Sequence, residues 1–427
     1  MTLFNGDACK GKWFAIGFAT AVFVAHFYWV FTHLDTFGTY NLKGMWITVD
    51  NFDVEINAPD SAFTRVFNRL LGWDGQWYYH IAENGYICPE LPEFNNPFKC
   101  NVGFFPLVPA LGHIIQLTGI DLIYALPLVS MLAWLGTLFF LFRLLENLPL
   151  SNRLLYLVLA TSYPGLLYAF TPYSELLLTF FLVATIYFSR QLLLTPKLST
   201  LGILCLICVL ASLTKATGLI CCLIPALFIV FSRHKPGKLL QATFISFPII
   251  CGLLGLGLFL IYSLYSFGDA LIYFKYVSSG WHNAVSDSQF FNPLVIITSF
   301  KWNATYAVRV SNLIMLLYPA LFILVLLLSL FLKAKAQDYW PILLISLAGY
   351  VFHTVVGAGP SSSHINLLRH MVPYIVPLLL ALALINNRIS SLAVRNSVNL
   401  LVVVLALAGV VTQHNLLILF SSGAWVS

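Results

Sequence analysis

The chain has 427 residues, of which 59% are hydrophobic and only 9% are charged, and its mean hydropathy is +0.87. These values, together with many apolar runs of about 20 residues, exclude a soluble globular protein and predict an all-α polytopic membrane protein. The net charge of +6 is modest, so it does not indicate a nucleic-acid partner.

The apolar runs predict about eleven transmembrane helices. We place them near 13–33, 122–142, 153–170, 173–193, 198–213, 217–232, 239–265, 303–332, 338–357, 369–386 and 397–420. No soluble domain of useful size fits between them. We therefore interpret residues 1–427 as a single integral-membrane domain.

The segment 104–119 is apolar, but its 16 residues would cover only about 24 Å of a hydrocarbon core of about 30 Å. We interpret it as an interfacial or re-entrant helix. Thirteen of the 22 Lys and Arg residues, with Lys10 and Lys12 among them, then fall on the same side, as the positive-inside rule requires. Two long loops, about 34–121 and 266–302, are expected to be external.

The first external loop holds most of the acidic residues, and in it Asp74 stands among aromatic residues beside the membrane. An amphipathic run at 63–71 leads into this segment, and a short helical pattern follows as far as Asn84 and Gly85. Asp74 is suited to capping that helix. The same carboxylate could accept the proton of an acceptor hydroxyl as that oxygen attacks a sugar. The two roles are compatible.

Other side chains of this segment are candidates for contacts with a substrate. Trp73 and Trp77 are suited to headgroup depth, where amphipathic rings accumulate. His80 and Glu83, at positions i and i+3, could join Asp74 around a divalent cation. No cysteine or histidine cluster has the spacing of a structural zinc site, so the sequence leaves the metal open.

Cys88 and Cys100 differ from the other cysteines because both fall in one polar loop rather than in an apolar run or near the amino terminus. They enclose a stretch rich in Pro and Asn that has little else to hold its shape. If this loop faces an oxidising space, we expect the two thiols to form a disulfide.

Three further segments place charge at the ends of predicted spans. Glu175 follows Pro172 in the first turn of a span, where it favours the helix dipole and could also line a reaction cavity. Lys215 interrupts the apolar stretch 198–232, and a lone ammonium at that depth needs an anion, which a lipid phosphate could supply. Arg369 and His370 lie at the external mouth of the tenth span, where snorkelling or a second phosphate contact would explain them.

Taken in order, several motifs resemble the PIG-V family of membrane mannosyltransferases, which belongs to the GT-C class of glycosyltransferases that use polyprenyl-phosphate sugars. The motifs are Trp73-Asp74, the run Ile81 to Tyr86, the run Gly103 to Pro109, Tyr163-Pro164, Tyr173-Ser174-Glu175, the turn Thr214 to Gly218, and Arg369 ahead of Pro373 and Pro377. One departure is that Lys215-Ala216-Thr217-Gly218 stands where the family has an arginine followed by Asn-Gly. The charge is kept, but bidentate phosphate geometry is lost.

The resemblance implies that Asp74 is the catalytic carboxylate of the external loop, that Glu175 lines the same cavity, and that the reaction inverts the anomeric centre. We therefore expect a membrane hexosyltransferase that transfers a sugar, mannose by resemblance, from a polyprenyl-phosphate donor to a lipid or glycan acceptor. Lys215 and Arg369 would hold the donor phosphate. The short connecting loops favour a bacterial or archaeal plasma membrane with an extracytoplasmic site, or the ER membrane if the protein is eukaryotic.

The alternative is a transporter or lipid flippase, in which Lys215 and Glu175 would be coupling residues along a pathway. Such proteins place charges near the middle of the bilayer and show paired broken helices in two halves. The sequence shows no convincing internal repeat, and its acidic residues cluster in one loop. The pattern favours the enzyme.

Overall fold

A computed structural model describes residues 7–36, 61–72, 74–88, 100–232, 237–280, 306–331, 339–356 and 367–421. These residues form α-helices, short 3-10 segments and turns, with no β-strand among them. The all-α class expected from the sequence is confirmed for this part of the chain.

The first half of the described chain contains helices α1 (Asp7–Thr36), α2 (Ala62–Leu70), α3 (Asp74–Asn84), α4 (Leu107–Gln116), α5 (Leu122–Leu144), α6 (Leu150–Ser162), α7 (Ser174–Leu194) and α8 (Leu198–Thr214). The second half contains α9 (Ile220–Phe231), α10 (Lys238–Phe267), α11 (Ile272–Gly280), α12 (Tyr306–Phe331), α13 (Trp340–Val356), α14 (Leu367–His370), α15 (Val372–Asn386) and α16 (Leu392–Ser421). Two 3-10 helices, Pro164–Phe170 and Ala216–Leu219, follow α6 and α8.

Within the described ranges, five helices are long and apolar enough to cross a membrane by length and composition. They are α1, α5, α7, α10 and α16. Several other apolar helices, among them α8, α13 and α15, are shorter. Multiple potential spans are therefore present, while the number eleven stays a prediction.

The first loop contains short helices, as its patterning predicted. The Ser61 hydroxyl accepts a hydrogen bond from the Thr64 amide and so caps α2. Helix α3 ends at Asn84, where Gly85 takes a positive φ of 79° that suits glycine, so the predicted stop is confirmed. Helix α4 has 10 residues, about 15 Å, and is too short to cross a hydrocarbon core of about 30 Å by itself.

Two predicted spans are interrupted. The expected span 153–170 is an α-helix only to Ser162, because Tyr163 is extended ahead of Pro164 and a 3-10 turn follows. The apolar stretch around Lys215 is also broken, as the sequence indicated, with Lys215 extended at φ −166° and ψ 149°. Both breaks contact α14, since the Tyr163 hydroxyl binds the Leu368 carbonyl and Lys215 Nζ lies beside His370 Nδ1.

Helices α7 and α15 form the centre of the helical bundle. Most of α7 is buried, and almost every residue of α15 is buried, which fits helices that are apolar on all sides. The aromatic side chains of Trp134 in α5, Tyr168 in the first 3-10 helix and Tyr374 in α15 are fully buried. Since α7 begins just before Glu175 and α15 begins just after His370, the two most enclosed helices start at the charged residues described next.

Candidate active site

Five polar side chains predicted from separate parts of the sequence meet at one place. They are Asp74, Glu175, Lys215, Arg369 and His370, which we call the charged cluster. Arg369 joins the two carboxylates, because its Nη1 lies 2.6 Å from Asp74 Oδ2 and its Nε lies 3.3 Å from Glu175 Oε1. The second contact is an ion pair without the geometry of a hydrogen bond.

Glu175 Oε1 is the most crowded atom of the cluster. Lys215 Nζ lies 2.9 Å from it and His370 Nδ1 lies 2.6 Å from it. The same His370 Nδ1 also lies 3.0 Å from Lys215 Nζ. The expectation that Lys215 is a lone ammonium is therefore wrong: its anion in this structure is a protein carboxylate.

Burial divides the cluster into an inner and an outer part. The side chains of Glu175 and Arg369 are only 3% and 7% exposed, whereas those of Lys215 and His370 are 20% and 22% exposed. Asp74 is 14% exposed. Buried charges persist only when they are paired, and removing one partner of such a pair typically costs about 3–5 kcal/mol. We call Glu175 and Arg369 the buried floor of the cluster, and Lys215 and His370 its exposed edge.

Asp74 occupies the first turn of α3. The helix begins at Asp74 itself, so this residue is the first of the helix rather than the predicted N-cap before it. A carboxylate in the first turn is still stabilised by the helix dipole. Its observed partner is Arg369, which connects this loop helix to the entrance of α15.

Tyr173 holds the start of α3 against the start of α7, and sequence reasoning gave it no role of its own. Its hydroxyl donates a hydrogen bond of 2.9 Å to the carbonyl of Gly72, two residues before Asp74. Its ring lies under the Arg369 guanidinium, with 4.7 Å between Cζ and the ring centroid, which is a cation–π contact. Tyr173 therefore fixes Asp74 and Arg369 at the same time.

The position of Arg369 is also set through the backbone of its neighbour Leu368. The Tyr163 hydroxyl donates a 3.0 Å hydrogen bond to the Leu368 carbonyl. A Cβ on Gly165 would lie 2.4 Å from that carbonyl oxygen, so only glycine permits this approach. The Tyr163-Pro164 motif thus acts by seating the backbone that carries Arg369.

The Lys215 junction depends on a similar close approach. A Cβ on Gly218 would lie 1.9 Å from the Ala211 carbonyl oxygen, so the turn after α8 folds tightly onto the end of that helix. The Lys215 backbone is extended and acts as the C-cap residue of α8. The Lys215 side chain therefore extends from a firmly held turn to Glu175.

Other predicted site residues lie outside the charged cluster. Trp77 is 4% exposed and stacks on Phe104 with ring centroids 5.9 Å apart, which makes it part of the core. Glu83 is exposed at the other end of α3. Trp73 lies outside the described residues.

His80 takes part in a buried network that the sequence did not reveal. Asn101 Nδ2 donates to His80 Nδ1 at 3.0 Å and to the Gly85 carbonyl at 3.1 Å. Asn101 Oδ1 accepts from the Ile87 amide at 2.8 Å, which fixes the orientation of the amide group. Burial lowers the pKa of the His80 imidazole, so the neutral form that accepts from Asn101 is favoured.

The disulfide expected from the sequence is present between Cys88 and Cys100. Cys100 is buried beside Ile272 and Tyr276 of α11, so the bridge packs against another element. It lies directly before Asn101. The bridge and the Asn101 network together fix the carboxyl end of α3, whose amino end carries Asp74.

The described residues contain no group of three His, Cys, Asp or Glu side chains that could hold a metal ion. The arrangement proposed for a divalent cation required His80 to join Asp74 and Glu83. Instead, His80 Nδ1 is occupied by Asn101 and Asp74 Oδ2 by Arg369.

Tyr78 lies beside the cluster on α3. Burial and the nearby Glu175 carboxylate raise the pKa of its hydroxyl above the ordinary value of 10. Tyr78 therefore remains protonated at neutral pH. It contributes a neutral wall, 5% exposed, next to the two carboxylates.

A cavity of about 460 Å³ lies between α3, α4, α8 and α10. Its walls are mostly apolar and include Ile81, Leu213 and Phe259. Leu213, on the wall of this cavity, lies two residues before Lys215 of the charged cluster. This volume falls within the usual range for small-molecule sites, about 300–1,000 Å³.

No protein-family model matches the chain, and a search of curated proteins finds no significant match. The features that bear on function are therefore the charged cluster, the residues that hold it together, and the motifs that resemble those of the PIG-V family.

Proposed function

We propose that this protein is a membrane glycosyltransferase that transfers a hexose from a polyprenyl-phosphate donor to a hydroxyl of a lipid or glycan acceptor. The observation that supports this most is the Asp74–Arg369 ion pair, with 2.6 Å between Oδ2 and Nη1. It holds an acidic side chain of the first loop beside the buried Glu175 and two further nitrogen-bearing side chains. The resemblance of the motifs to the PIG-V family favours mannose as the sugar.

The proposed reaction is a single displacement with inversion at the anomeric carbon. The acceptor oxygen attacks this carbon and gives its proton to the Asp74 carboxylate, which acts as general base. The bond between the anomeric carbon and the phosphate oxygen breaks, and its electron pair leaves with the polyprenyl phosphate. The products are the glycosylated acceptor and the lipid phosphate, and the proton passes from Asp74 to solvent.

Cationic side chains would lower the barrier because the leaving phosphate gains negative charge as the bond breaks. Lys215 and His370 form the exposed edge of the cluster and are the best placed to meet a phosphate. Arg369 is 7% exposed and already bridges two carboxylates, so its proposed part is to position Asp74 rather than to bind the donor first.

The apolar cavity beside Leu213 suits a hydrocarbon chain whose phosphate points toward Lys215. Such a site would bind the lipid part of the donor by apolar contact and its head by charge. The site is proposed to face the extracytoplasmic side, in a bacterial or archaeal plasma membrane, because the Lys- and Arg-rich turns are predicted to lie on the opposite side.

One observation also fits the transporter alternative. Lys215 and Glu175 form an ion pair within an apolar helical bundle, and such pairs are used as coupling residues in transporters. A transporter would move a lipid-linked sugar without forming a new glycosidic bond. The chemical identity of the product therefore separates the two functions.

The test uses membranes that contain the full chain and matched membranes without it. Each is supplied with radiolabelled mannose or glucose on a polyprenyl phosphate, or with the corresponding nucleotide sugar. We expect labelled sugar to move from one of the polyprenyl-phosphate donors to an acceptor, with release of polyprenyl phosphate from that donor. Equal incorporation in the two membranes from every donor would contradict the proposal, and movement of intact donor across the membrane would favour the transporter.

A further inference from the structure

The contacts around Glu175 Oε1 cannot all be satisfied at once. His370 Nδ1 carries either a proton or a lone pair, so it can donate to Glu175 or accept from Lys215, but not both. Arg369 Nε is buried and lies 3.3 Å from the same oxygen without forming a hydrogen bond. Three nitrogens thus approach this oxygen, and two of these contacts are compromised. The His370 contact competes with the one to Lys215, and the Arg369 contact is not a hydrogen bond.

Lys, Arg and His side chains make charge-assisted hydrogen bonds to phosphate oxygens as well as to carboxylates. We infer that the Glu175 carboxylate holds the place of a phosphate group, and that Lys215 exchanges Glu175 for that phosphate when the ligand binds. The ligand class is a phosphate monoester or diester, from a lipid headgroup or from free phosphate. The link to the lipid donor rests on the proposed function, whereas the exchange itself does not.

The structure shows why Lys215 is the group that moves. Its side chain is 20% exposed and ends a flexible four-carbon stem, whereas Arg369 is 7% exposed and fixed over Tyr173. The backbone below Lys215 is held by the close approach of Gly218 to Ala211. The exchange therefore requires side-chain rotation and no change of fold.

Departure of Lys215 would also relieve both compromised contacts. His370 Nδ1 could donate to Glu175 without facing the ammonium. The carboxylate could turn to accept a hydrogen bond from Arg369 Nε. Arg369 would still lie against both carboxylates, while the ammonium neutralises charge on the incoming anion.

The exchange also favours the chemical step proposed above. A sugar-linked phosphodiester carries one negative charge, and the released monoester carries up to two. Lys215 would be drawn further from Glu175 as this charge develops. An interaction that is stronger in the transition state than in the ground state raises the rate.

We expect loss of the Glu175 carboxylate to strengthen the binding of phosphate and loss of the Lys215 ammonium to weaken it. Glu175→Gln should bind phosphate more tightly, by at least about tenfold, because the amide no longer competes for Lys215. Lys215→Met should bind it at least about tenfold more weakly, the scale of one charge-assisted hydrogen bond. A matched pair of controls is Asp269→Asn and Lys275→Met, since Lys275 Nζ lies 2.6 Å from Asp269 Oδ2 in an exposed ion pair.

The experiment is calorimetric titration of the purified full chain in detergent, without any sugar, so that its outcome does not depend on transfer. Inorganic phosphate is one probe, and farnesyl phosphate in the same micelles is the other. Tighter binding of both probes by Glu175→Gln indicates that the phosphate alone is recognised. The same pattern with farnesyl phosphate only indicates a lipid headgroup. Either result supports the exchange.

Simple removal of a negative charge would also raise anion affinity, so two further variants are needed. Asp74→Asn removes a charge from the cluster without freeing Lys215 and should gain less than Glu175→Gln. In a Lys215→Met background, Glu175→Gln should gain little, which is a double-mutant cycle. An equal gain for both acids that persists without Lys215 would overturn the inference, as would unchanged binding in Glu175→Gln.

Glu175→Gln removes a buried carboxylate from Lys215 and Arg369, so a failure of this variant to fold calls for a second variant. Glu175→Asp then serves as the second variant. It keeps the charge but retracts the carboxylate by one methylene, so its hold on Lys215 should weaken and farnesyl phosphate, with or without inorganic phosphate, should bind more tightly than to the wild type. Unchanged or weaker binding in this variant would equally overturn the inference.

Discussion

Arg369 Nη1 lies 2.6 Å from Asp74 Oδ2, and this contact joins a helix of the first loop to the entrance of the most enclosed helix of the bundle. The guanidinium is 7% exposed and rests on the Tyr173 ring. Because the pair is buried, its geometry is held by its surroundings rather than by charge alone. Changes in the residues that hold the pair should therefore affect it as well.

Tyr173→Phe tests this support. The variant keeps the ring below Arg369 but loses the hydroxyl that binds the Gly72 carbonyl, which should lower the free energy of unfolding by about 1 kcal/mol. Since Gly72 lies two residues before Asp74, we also expect sugar transfer to fall several-fold. Stability is followed by thermal unfolding and transfer by the radiolabel assay.

Tyr318→Phe is the matched control, because the buried Tyr318 hydroxyl donates to the Ser346 carbonyl and so joins α12 to α13, two helices that carry none of the five cluster residues. Both variants should lose similar stability, but only Tyr173→Phe should lose transfer. If the two variants were equally active, Tyr173 would have a structural role only.

The members of the charged cluster were predicted individually because charged residues stand out in a chain that is 59% hydrophobic. Their partners were not predicted. From the sequence we expect Lys215 to meet a phosphate, and its pairing with Glu175 is not foreseen. No periodicity relates residues on different helices. Tertiary packing alone brings Lys215 Nζ to within 2.9 Å of Glu175 Oε1.

Helix positions were predicted more accurately than helix continuity. Apolar runs located α5, α7 and α10 closely, since length and hydropathy define such helices. The break between Ser162 and Pro164 was missed because the run remains apolar across it. Asn101 was missed because a single amide in a polar loop gives no pattern, although it binds three partners.

The Cys88–Cys100 bridge closes a loop with a sequence separation of 12, for which loop-closure entropy gives about 3 kcal/mol at most. The double variant Cys88→Ser/Cys100→Ser should therefore unfold at a lower temperature than the wild type. A Cys251→Ser variant is the control, since Cys251 is a free thiol. Mass spectrometry of non-reduced, alkylated protein should find residues 88 and 100 unmodified, and alkylation of both would contradict the pairing.

Because of His80, we expect acid to lower the stability of the first loop. Burial holds its pKa below the ordinary value of 6.5, so the unfolded chain binds a proton more readily than the folded chain. Stability from this group is present above about pH 6.5 and is lost as the pH falls below it. Protonation would also place a donor against Asn101 Nδ2.

His80→Gln should reduce this sensitivity, because the glutamine oxygen can accept from Asn101 and does not titrate. Thermal midpoints measured at pH 7.5 and pH 5.5 should therefore differ less in the variant than in the wild type. An identical difference in both proteins would show that another group causes the acid sensitivity.

Asp74→Asn tests most directly whether Asp74 is the general base. Asparagine keeps a polar side chain at the start of α3 and can still bind Arg369 through its oxygen, so we expect the variant to fold, with a loss of stability from the weakened ion pair. An amide cannot take the acceptor proton at neutral pH, so transfer should fall at least about a hundredfold. Asp269→Asn, a carboxylate-to-amide exchange at an exposed ion pair, should keep wild-type transfer. Thermal unfolding and transfer of labelled hexose from a polyprenyl-phosphate donor are measured on the same preparations. We expect folded, inactive Asp74→Asn protein beside active Asp269→Asn protein, and a folded Asp74→Asn protein with near wild-type transfer would contradict the role of Asp74 as base.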